Sequence, residues 1–185
     1  FYSMDWKRNR QITTISKMPF TDGIMETGES TSVSGYLNDK FAINEINGYL
    51  YVLATDSDKE TEVNSLHVFD GEMKETGVLN EIARGELVYA ARFVGNYVYF
   101  ITYKQTDPLF VADISDPSDP KLLGELEVSG FSEYLHIWDD THVLGIGYGD
   151  SDRKTIKLTM FDVSDPAHPV EENQKIFDHE GYYCE

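Results

Sequence analysis

The strongest constraint on the fold of this sequence is a motif that recurs about every 45 to 50 residues. One copy spans residues 85–130 and reads as four short strands separated by turn residues. A glycine precedes each first strand and an aspartate closes each third strand; these markers are Gly35, Gly85, Gly130 and Gly181, with Asp70, Asp113 and Asp162. Periodicity of this kind indicates stacked copies of one supersecondary unit.

The strands can be assigned within the copy at residues 85–130. Residues 88–94 and 97–103 are apolar runs joined by the pair Gly95-Asn96, which predicts a tight hairpin. Residues 109–114 form a third strand that ends in Ser-Asp-Pro, a combination that favours a turn. Residues 121–128 alternate apolar and charged side chains in part, so we expect a fourth strand with one solvated face.

These observations predict an all-β fold, a β-propeller with about four blades' worth of four-stranded antiparallel sheets. The alternative is a β-sandwich, but a sandwich has no reason to repeat DISDPSDP as DVSDPAHP at the same place in the period. We treat residues 1–185 as one propeller domain or fragment. Its predicted parts are a blade remnant at 1–34, with strands at 1–6, 11–18 and 24–34, blades at about 35–84, 85–129 and 130–180, and the start of a next blade at 181–185.

Composition excludes some classes of function. The formal net charge is -18, from 33 acidic and 15 basic residues, which would repel nucleic acid and anionic lipid. We therefore expect no nucleic-acid partner and no membrane insertion by this segment. The acidity is typical of a solvated surface, with a cation or a basic partner as the alternative. Cys184 is the single cysteine, so an internal disulfide is excluded. Because the chain opens on Phe1 in what reads as a strand, we expect a fragment or a processed product.

Sequence motifs of catalysis are missing. The five histidines show no metal-binding spacing, and no G-x-S-x-G elbow is present. Trp138-Asp139 is a lone WD dipeptide, and the alternating glycines 145, 147 and 149 fit close strand packing better than a phosphate loop. We therefore expect no catalytic residue and no cofactor in this chain, apart from calcium.

Calcium is the one ion that the sequence makes conceivable. Asp56 and Asp58 lie in one predicted hairpin loop, and Asp150 and Asp152 lie in the equivalent loop of a later blade. Carboxylate oxygens are the ligands that Ca²⁺ prefers, but neither loop follows the EF-hand pattern. A solvated turn is the alternative reading of both loops.

Polar residues on the first strands are the candidate binding residues, because first strands line the central channel of a propeller. Glu45, Arg92 and His136 fall at or near corresponding places. Arg92 lies between Ala91 and Phe93, so its charge either pairs with a carboxylate, such as Glu45, Glu86 or Asp107, or contacts a ligand. In the second case Lys104 and Asp107, on the adjoining loop, would be its companions.

Family resemblance covers nearly the whole chain. It is carried by ITTISKM, GYLNDKFAINEINGYLYVLAT and GELVYAARFVGNYVYFITYKQTDPLFVADISDPSDPKLLGELEVSGFSEYLH. These runs resemble a family of bacterial and archaeal secreted or cell-surface β-propeller domains distantly related to WD40 repeats. LFVADISDPSDPKLLGE and LTMFDVSDPAHPV are also similar to the LVIVD repeat. The resemblance implies an extracytoplasmic propeller longer than this chain, which favours a slice over a closed four-bladed ring. It implies no catalytic residues.

Two functions follow as expectations. The first is a non-enzymatic extracytoplasmic scaffold that binds a protein, peptide or carbohydrate partner through loops on rigid blades. The second is a hydrolase or lyase that acts in the propeller channel with catalytic residues outside this segment. If the chain is a slice, its open blade faces would also favour self-association.

Overall fold

The computed structural model describes residues 2–7, 10–58, 61–103, 107–149 and 154–178. Apart from one 3-10 turn at Lys40–Ala42, all regular structure in these residues is β. The chain divides into two compact units, one formed by Phe1–Leu87 with Asp116–Pro120 and the other by Val88–Ser115 with Lys121–Glu185. Each unit is described by itself.

The first unit contains one three-stranded, one two-stranded and one four-stranded antiparallel sheet, in the orders β1-β2-β5, β3-β4 and β6-β7-β8-β9. Consecutive strands are neighbours throughout, except that the small hairpin is inserted between β2 and β5. The strands are β1 (Tyr2–Lys7), β2 (Arg10–Ser16), β3 (Phe20–Thr21), β4 (Ile24–Met25), β5 (Ser30–Ser34), β6 (Ile43–Ile46), β7 (Tyr49–Asp58), β8 (Thr61–Phe69) and β9 (Glu75–Ile82).

The second unit contains two four-stranded sheets with consecutive strand order, β10-β11-β12-β13 and β14-β15-β16-β17. Their strands are β10 (Leu87–Val94), β11 (Tyr97–Tyr103), β12 (Asp107–Asp113), β13 (Lys121–Val128), β14 (Phe131–Ile137), β15 (His142–Tyr148), β16 (Thr155–Asp162) and β17 (Val170–Asp178). This is the arrangement that the repeat predicts, and the all-β prediction is confirmed.

Turn chemistry explains why the hairpins form where they do. Asn47-Gly48 and Asp22-Gly23 each place two consecutive residues at positive φ, between 52° and 83°. Two-residue turns with both residues at positive φ match the twist of the flanking strands, and Asn-Gly and Asp-Gly adopt them most readily. Ile46 therefore pairs with Tyr49, and Thr21 pairs with Ile24.

The aspartates that mark the repeat cap the ends of the third strands. Oδ1 of Asp113 accepts from Ser115 N at 2.8 Å, and Oδ1 of Asp162 accepts from Ser164 N at 2.8 Å. Asp70 accepts from two backbone amides, Glu72 N at 2.9 Å and Lys74 N at 3.0 Å. A short carboxylate that binds the backbone two residues ahead stops the strand and starts a turn. The aspartate that recurs at the end of each third strand is therefore a structural signal.

Loops between third and fourth strands lie against glycines of the preceding sheet, and each unit shows this once. In the first unit a Cβ on Gly77 of β9 would lie 2.4 Å from Pro117 O. In the second unit a Cβ on Gly124 of β13 would lie 2.7 Å from Ala167 O. Only a residue without a side chain leaves room for these loops at such a distance.

The cores follow the predicted burial. Strand β11, which the sequence shows as an apolar run, has five consecutive buried residues from Val98 to Thr102 and is therefore buried on both faces. The rings of Phe100 and Phe110 stack at 5.3 Å between centroids. In β13 the alternation holds from Gly124 onward, but the bulge between Val111 and Ala112 interrupts it before that point.

The blade remnant differs from the prediction. The expected fourth strand at residues 24–34 is divided into β4, which pairs with β3, and β5, which pairs with β2. The expected third strand at 11–18 ends at Ser16. Pro19 and the turn-forming pair Asp22-Gly23 explain the break, because they favour a separate hairpin over continuation of β2. The predicted start of a further blade at 181–185 lies outside the described residues.

Candidate binding sites

Arg92 lies in the second unit and contacts an aromatic ring of the next sheet. It is 9% exposed, and its guanidinium carbon lies 4.5 Å from the centroid of the Tyr134 ring. Nη1 of Arg92 donates to Ala91 O at 2.6 Å. A guanidinium over an aromatic face is attracted by the ring quadrupole, and it keeps its charge in a site where little water reaches it. Arg92 therefore packs on one side of the Tyr134 ring, and Tyr134 is 41% exposed.

His136 extends this surface. Trp138 N donates to His142 O at 3.0 Å, which places His136 two residues before the β14–β15 turn. Arg92 stands two residues before Val94, the last strand residue before the turn at Gly95-Asn96, and His136 stands two residues before Trp138, so the predicted correspondence of Arg92 with His136 agrees with the structure. Tyr134 and His136 are two apart on β14 and share a face. Together they present a phenol and an imidazole that could stack on or hydrogen-bond to a partner.

Glu45 does not occupy the position in its own repeat that Arg92 and His136 occupy in theirs. The last strand residue before the turn Asn47-Gly48 is Ile46, which pairs with Tyr49, so the position two residues before that last strand residue belongs to Asn44, and Glu45 points to the opposite face of its sheet. The other two predicted binding residues are Asp107 and Lys104, and the structure describes only the backbone of Asp107. Asp107 opens β12 opposite Val128, with its side chain outside the description, and Lys104 lies outside the described residues. The predicted pairing of Arg92 with a carboxylate stays a prediction.

A second candidate site is a cleft of about 210 Å³ in the first unit. Its lining combines five apolar residues, Ile15, Met18, Ile43, Leu50 and Met73, with three charged ones, Lys17, Glu45 and Asp70. Ile15 and Met73 are buried and form the floor, whereas Glu45 is exposed at the rim. Met73 reaches its place through a positive φ of 62° in the loop that Asp70 caps.

The charged residues of the cleft differ in the hydrogen bonds that their side chains form. Lys17 Nζ donates to Gly71 O at 3.3 Å, and the Asp70 carboxylate accepts from two backbone amides. Glu45 N donates to Asn44 Oδ1 at 3.0 Å, and the Glu45 residue is exposed. The rim thus offers a negative group to a ligand. Sequence reasoning missed this site, although Asp70 was recognised as a repeat marker.

An acid–histidine pair occupies the turn between β14 and β15. The Asp139 carboxylate accepts from Thr141 N at 2.8 Å and contacts His142 Nδ1 at 2.9 Å. The hydrogen bond from Thr141 N, followed by that from His142, lowers the pKa of Asp139 to about 2. The hydrogen bond to Asp139 raises the pKa of His142. These contacts explain the lone WD dipeptide as the start of a capped turn.

Lys157 is a buried polar residue that no sequence motif indicates. It is fully buried in β16, and Nζ donates to Ser129 O at 2.5 Å. This bond ties the link between β13 and β14 to the last sheet. A buried lysine needs such partners, because an uncompensated buried charge is strongly destabilising.

The calcium prediction stays untested. The predicted loop position of Asp56 and Asp58 is wrong, because both residues belong to β7, which stays paired with β8 as far as Asp58. Asp56 is half-buried, and the side chain of Asp58 is not described. Asp150 and Asp152 lie outside the described residues. In the described ranges no three histidine, cysteine, aspartate or glutamate side chains come together as metal ligands would. Nor is any helix in those ranges long and apolar enough to cross a membrane.

The contact of Arg92 with Tyr134 can be measured by a double-mutant cycle. Arg92→Met and Tyr134→Leu each lower stability, and we expect a coupling free energy of about 0.5–2 kcal/mol between them, because the guanidinium lies over the ring. Urea unfolding of the wild type, both single variants and the double variant gives this value. Single effects that add to within about 0.3 kcal/mol would show that the two side chains act independently.

Comparison with known families agrees with the fold. The family model described as "Beta propeller domain" matches residues 2–185. This chain belongs to the beta propeller domain family. The four-stranded sheets of the second unit and the sheet β6–β9 of the first are blades of this propeller domain, and Arg92, Tyr134 and His136 lie on the first strands of two of them.

Curated relatives of the propeller domain come from two archaea. An uncharacterized protein of Methanocaldococcus jannaschii is 40% identical over 164 residues, which covers 87% of this chain and 26% of the relative. An uncharacterized protein of Archaeoglobus fulgidus is 40% identical over 152 residues, which covers 82% of this chain and 24% of the relative. The propeller domain thus spans about a quarter of the length of the curated relatives it matches.

Solved structures with a similar course of the backbone are more distant. Hsv2 of Kluyvelomyces marxianus superimposes with a TM-score of 0.43 at 9% identity, over 94% of this chain and 70% of that one. A subtype N10 neuraminidase-like protein from A/little yellow-shouldered bat/Guatemala gives a TM-score of 0.49 at 8% identity, over 97% and 68%.

Proposed function

We propose that this propeller domain is a non-enzymatic binding module and that its cleft anchors an apolar side chain of a peptide or protein partner. The cleft in the first unit supports this proposal. Its volume of about 210 Å³ is below the roughly 300–1,000 Å³ of sites that enclose a cofactor or drug-sized ligand. One apolar side chain of a peptide is the ligand that suits such a volume, and the buried floor of Ile15 and Met73 is apolar.

The rim indicates what should flank that side chain. Glu45 is exposed there, and the Asp70 carboxylate lines the cleft as well. Lys17 supplies one positive charge against the two carboxylates of Glu45 and Asp70, so the cleft lining has a negative balance, and the net charge of the whole chain is -18. A partner with basic residues next to its apolar anchor would be attracted, and its on-rate would fall as salt is added.

Three short peptides test the proposal: Ac-Gly-Arg-Leu-Arg-Gly-NH₂, its Glu-Leu-Glu counterpart and its Arg-Ser-Arg counterpart. In NMR spectra of the methyl groups we expect the Arg-Leu-Arg peptide to shift the signals of Ile15, Ile43 and Met73, because leucine enters the cleft. The other two peptides lack either the apolar anchor or the matching charge. Equal shifts from the Arg-Ser-Arg peptide would contradict the proposal.

A charge reversal sharpens this test. Glu45→Lys is expected to weaken binding of the Arg-Leu-Arg peptide by about 2- to 5-fold, because an exposed ion pair contributes about 0.5–1 kcal/mol. Glu127→Lys is the matched control, because Glu127 is an exposed glutamate on β13 of the other unit. If both variants weaken binding equally, overall charge rather than the cleft attracts the peptide.

We also propose that the module works outside the cytoplasm. The resemblance of its repeats to secreted and cell-surface propellers supports this location. Protease treatment of intact cells, followed by detection with an antibody against this domain, tests it; a protected protein would contradict it. Hydrolase or lyase activity stays a prediction from the sequence, because no observation in the described residues favours it.

A further inference from the structure

The sheet β14–β17 differs from the sheets β6–β9 and β10–β13 at two positions of the repeat. The first is the residue opposite the capping aspartate, which is Tyr97 in the sheet β10–β13 and His142 in the sheet β14–β17. In the sheet β6–β9 the same position, one residue before the pairing of Leu50 with Phe69, belongs to Tyr49. A histidine thus replaces a tyrosine, and histidine is the side chain whose charge changes near neutral pH.

The second position is a β-bulge in the fourth strand, and it recurs in all three sheets. The pairing of the third strand with the fourth skips one residue of the fourth strand. This residue is Thr76 in β9, Leu123 in β13 and Glu172 in β17. A bulge takes its extra residue out of the regular alternation and can direct that side chain to a particular place. Of the three extra residues, only Glu172 is charged.

The two residues that depart from the repeat contact each other. His142 Nε2 lies 3.5 Å from Glu172 Oε2, and His142 Nδ1 lies 2.9 Å from Asp139 Oδ1. The imidazole therefore stands between a carboxylate of the β14–β15 turn and a carboxylate of the outer strand β17. Asp162, which pairs with His142 at the end of β16, is the third acidic group that acts on it. Each of these three elements thus presents a carboxylate to the ring.

The contact between His142 and Glu172 depends on one proton. In the neutral imidazole, the hydrogen bond to Asp139 places the single ring proton on Nδ1. Nε2 then carries a lone pair and faces the Glu172 carboxylate, so two acceptors oppose each other. Protonation places a hydrogen on Nε2 and turns the same contact into an ion pair. The hydrogen bond to Asp139 forms in both states, whereas the attraction to Glu172 requires the charged ring.

We propose that Asp139, His142 and Glu172 form a pH-sensitive bridge, which ties the outer strand β17 to the β14–β15 turn when His142 is protonated and releases Glu172 when it is not. The hydrogen bond to Asp139 raises the pKa of His142, and the charges of Asp139, Glu172 and Asp162 act in the same direction. The stabilisation is therefore complete below the ordinary value of 6.5 and is lost as pH rises through the folded pKa. Asp139, with a pKa of about 2, stays ionised throughout this range.

Titration of the histidine rings by NMR tests the contact with Glu172. The signal of His142 is the one that His142→Tyr removes from the spectrum. We expect Glu172→Gln to lower the pKa of His142, because the carboxylate that favours the charged ring is lost. Glu171→Gln is the matched control, since it removes the same charge from the neighbouring residue, which is not among the groups that raise this pKa. An unchanged pKa in Glu172→Gln, or an equal decrease in both variants, would overturn the proposal.

Urea unfolding at about pH 5.5 and about pH 8 tests the effect on stability. The proteins are the wild type, His142→Tyr and Glu172→Leu. Both substitutions introduce the residue that the sheet β10–β13 has at the same position, so both suit the fold. Between the two pH values we expect the urea midpoint to fall most in the wild type and least in His142→Tyr, because Glu172→Leu keeps the hydrogen bond of His142 to Asp139. An equal fall in all three proteins would overturn the proposal.

Discussion

Gly77→Ala is expected to lower the free energy of unfolding by about 3 kcal/mol, because the new methyl group would lie in the loop that packs on β9. The Cβ would stand 2.4 Å from Pro117 O and 3.0 Å from Ser118 C, and both are backbone atoms that move only with the whole loop. Gly124→Ala repeats the test in the second unit, where the shortest distance is 2.7 Å, so its effect should be smaller. Urea unfolding measures both effects.

Gly71→Ala is the control for these glycine variants. A Cβ on Gly71 would meet only Lys17 Nζ, at 4.0 Å, and its φ is not positive. We expect its stability to stay within about 0.5 kcal/mol of the wild type. If Gly77→Ala lowers the free energy of unfolding no more than Gly71→Ala does, the loop at residues 116–120 can shift to make room for the methyl group. The position of the loop would then not depend on the glycine.

Asn64→Asp is expected to destabilise the protein by about 3–5 kcal/mol at pH 7, because a buried carboxylate would replace a buried amide. Asn64 Nδ2 donates to Ile82 O at 3.0 Å and to Glu86 O at 3.1 Å, and Oδ1 accepts from Thr55 Oγ1 at 2.7 Å. In the variant a negative oxygen would face two carbonyl oxygens at a fully buried position. The amide joins β8 to the link that follows β9, so the link should loosen as well.

The effect of Asn64→Asp should depend on pH. Burial and the facing carbonyls favour the neutral acid, so the pKa of the new carboxyl is raised in the folded state above about 3.9. Below that pH the carboxyl is protonated in both states and most of the loss disappears. The loss then grows as pH rises to the folded pKa. Unfolding at pH 4 and pH 7 measures this, with Asn96→Asp in an exposed turn as control. Equal losses at both pH values would contradict it.

Local pattern was sufficient to locate most strands. The predicted fourth strand at Lys121–Val128 and the second strand at Tyr97–Tyr103 agree with the structure residue for residue. Alternation, Gly-Asn turns and Asp-Pro turns act within a few residues, so they can be seen in the sequence. The hairpin β3–β4 was missed because two-residue strands are too short to show a period, and Asp22-Gly23 was its only signal.

The candidate sites were less accessible to sequence reasoning, because they depend on contacts between sheets. Arg92 could be recognised as a polar residue in an apolar run, but nothing in the sequence pairs it with Tyr134. Glu45 was placed one residue out of register, and a shift of one residue moves a side chain to the other face. Met73 lines the cleft because its backbone has a positive φ, and its residue type does not predict that conformation. The buried state of Lys157 depends on Ser129 O, which lies 28 positions away in the chain.

The assignment of Asp116–Pro120 to the first unit has a consequence for how this chain can be divided. These five residues connect two strands of the second unit, yet they fill the space that Gly77 leaves open on β9. A protease that cleaves once between Leu87 and Val88 would strip the first unit of a piece of its own surface. Each half obtained in that way would be incomplete, so recombinant work on this chain should keep both halves covalently joined.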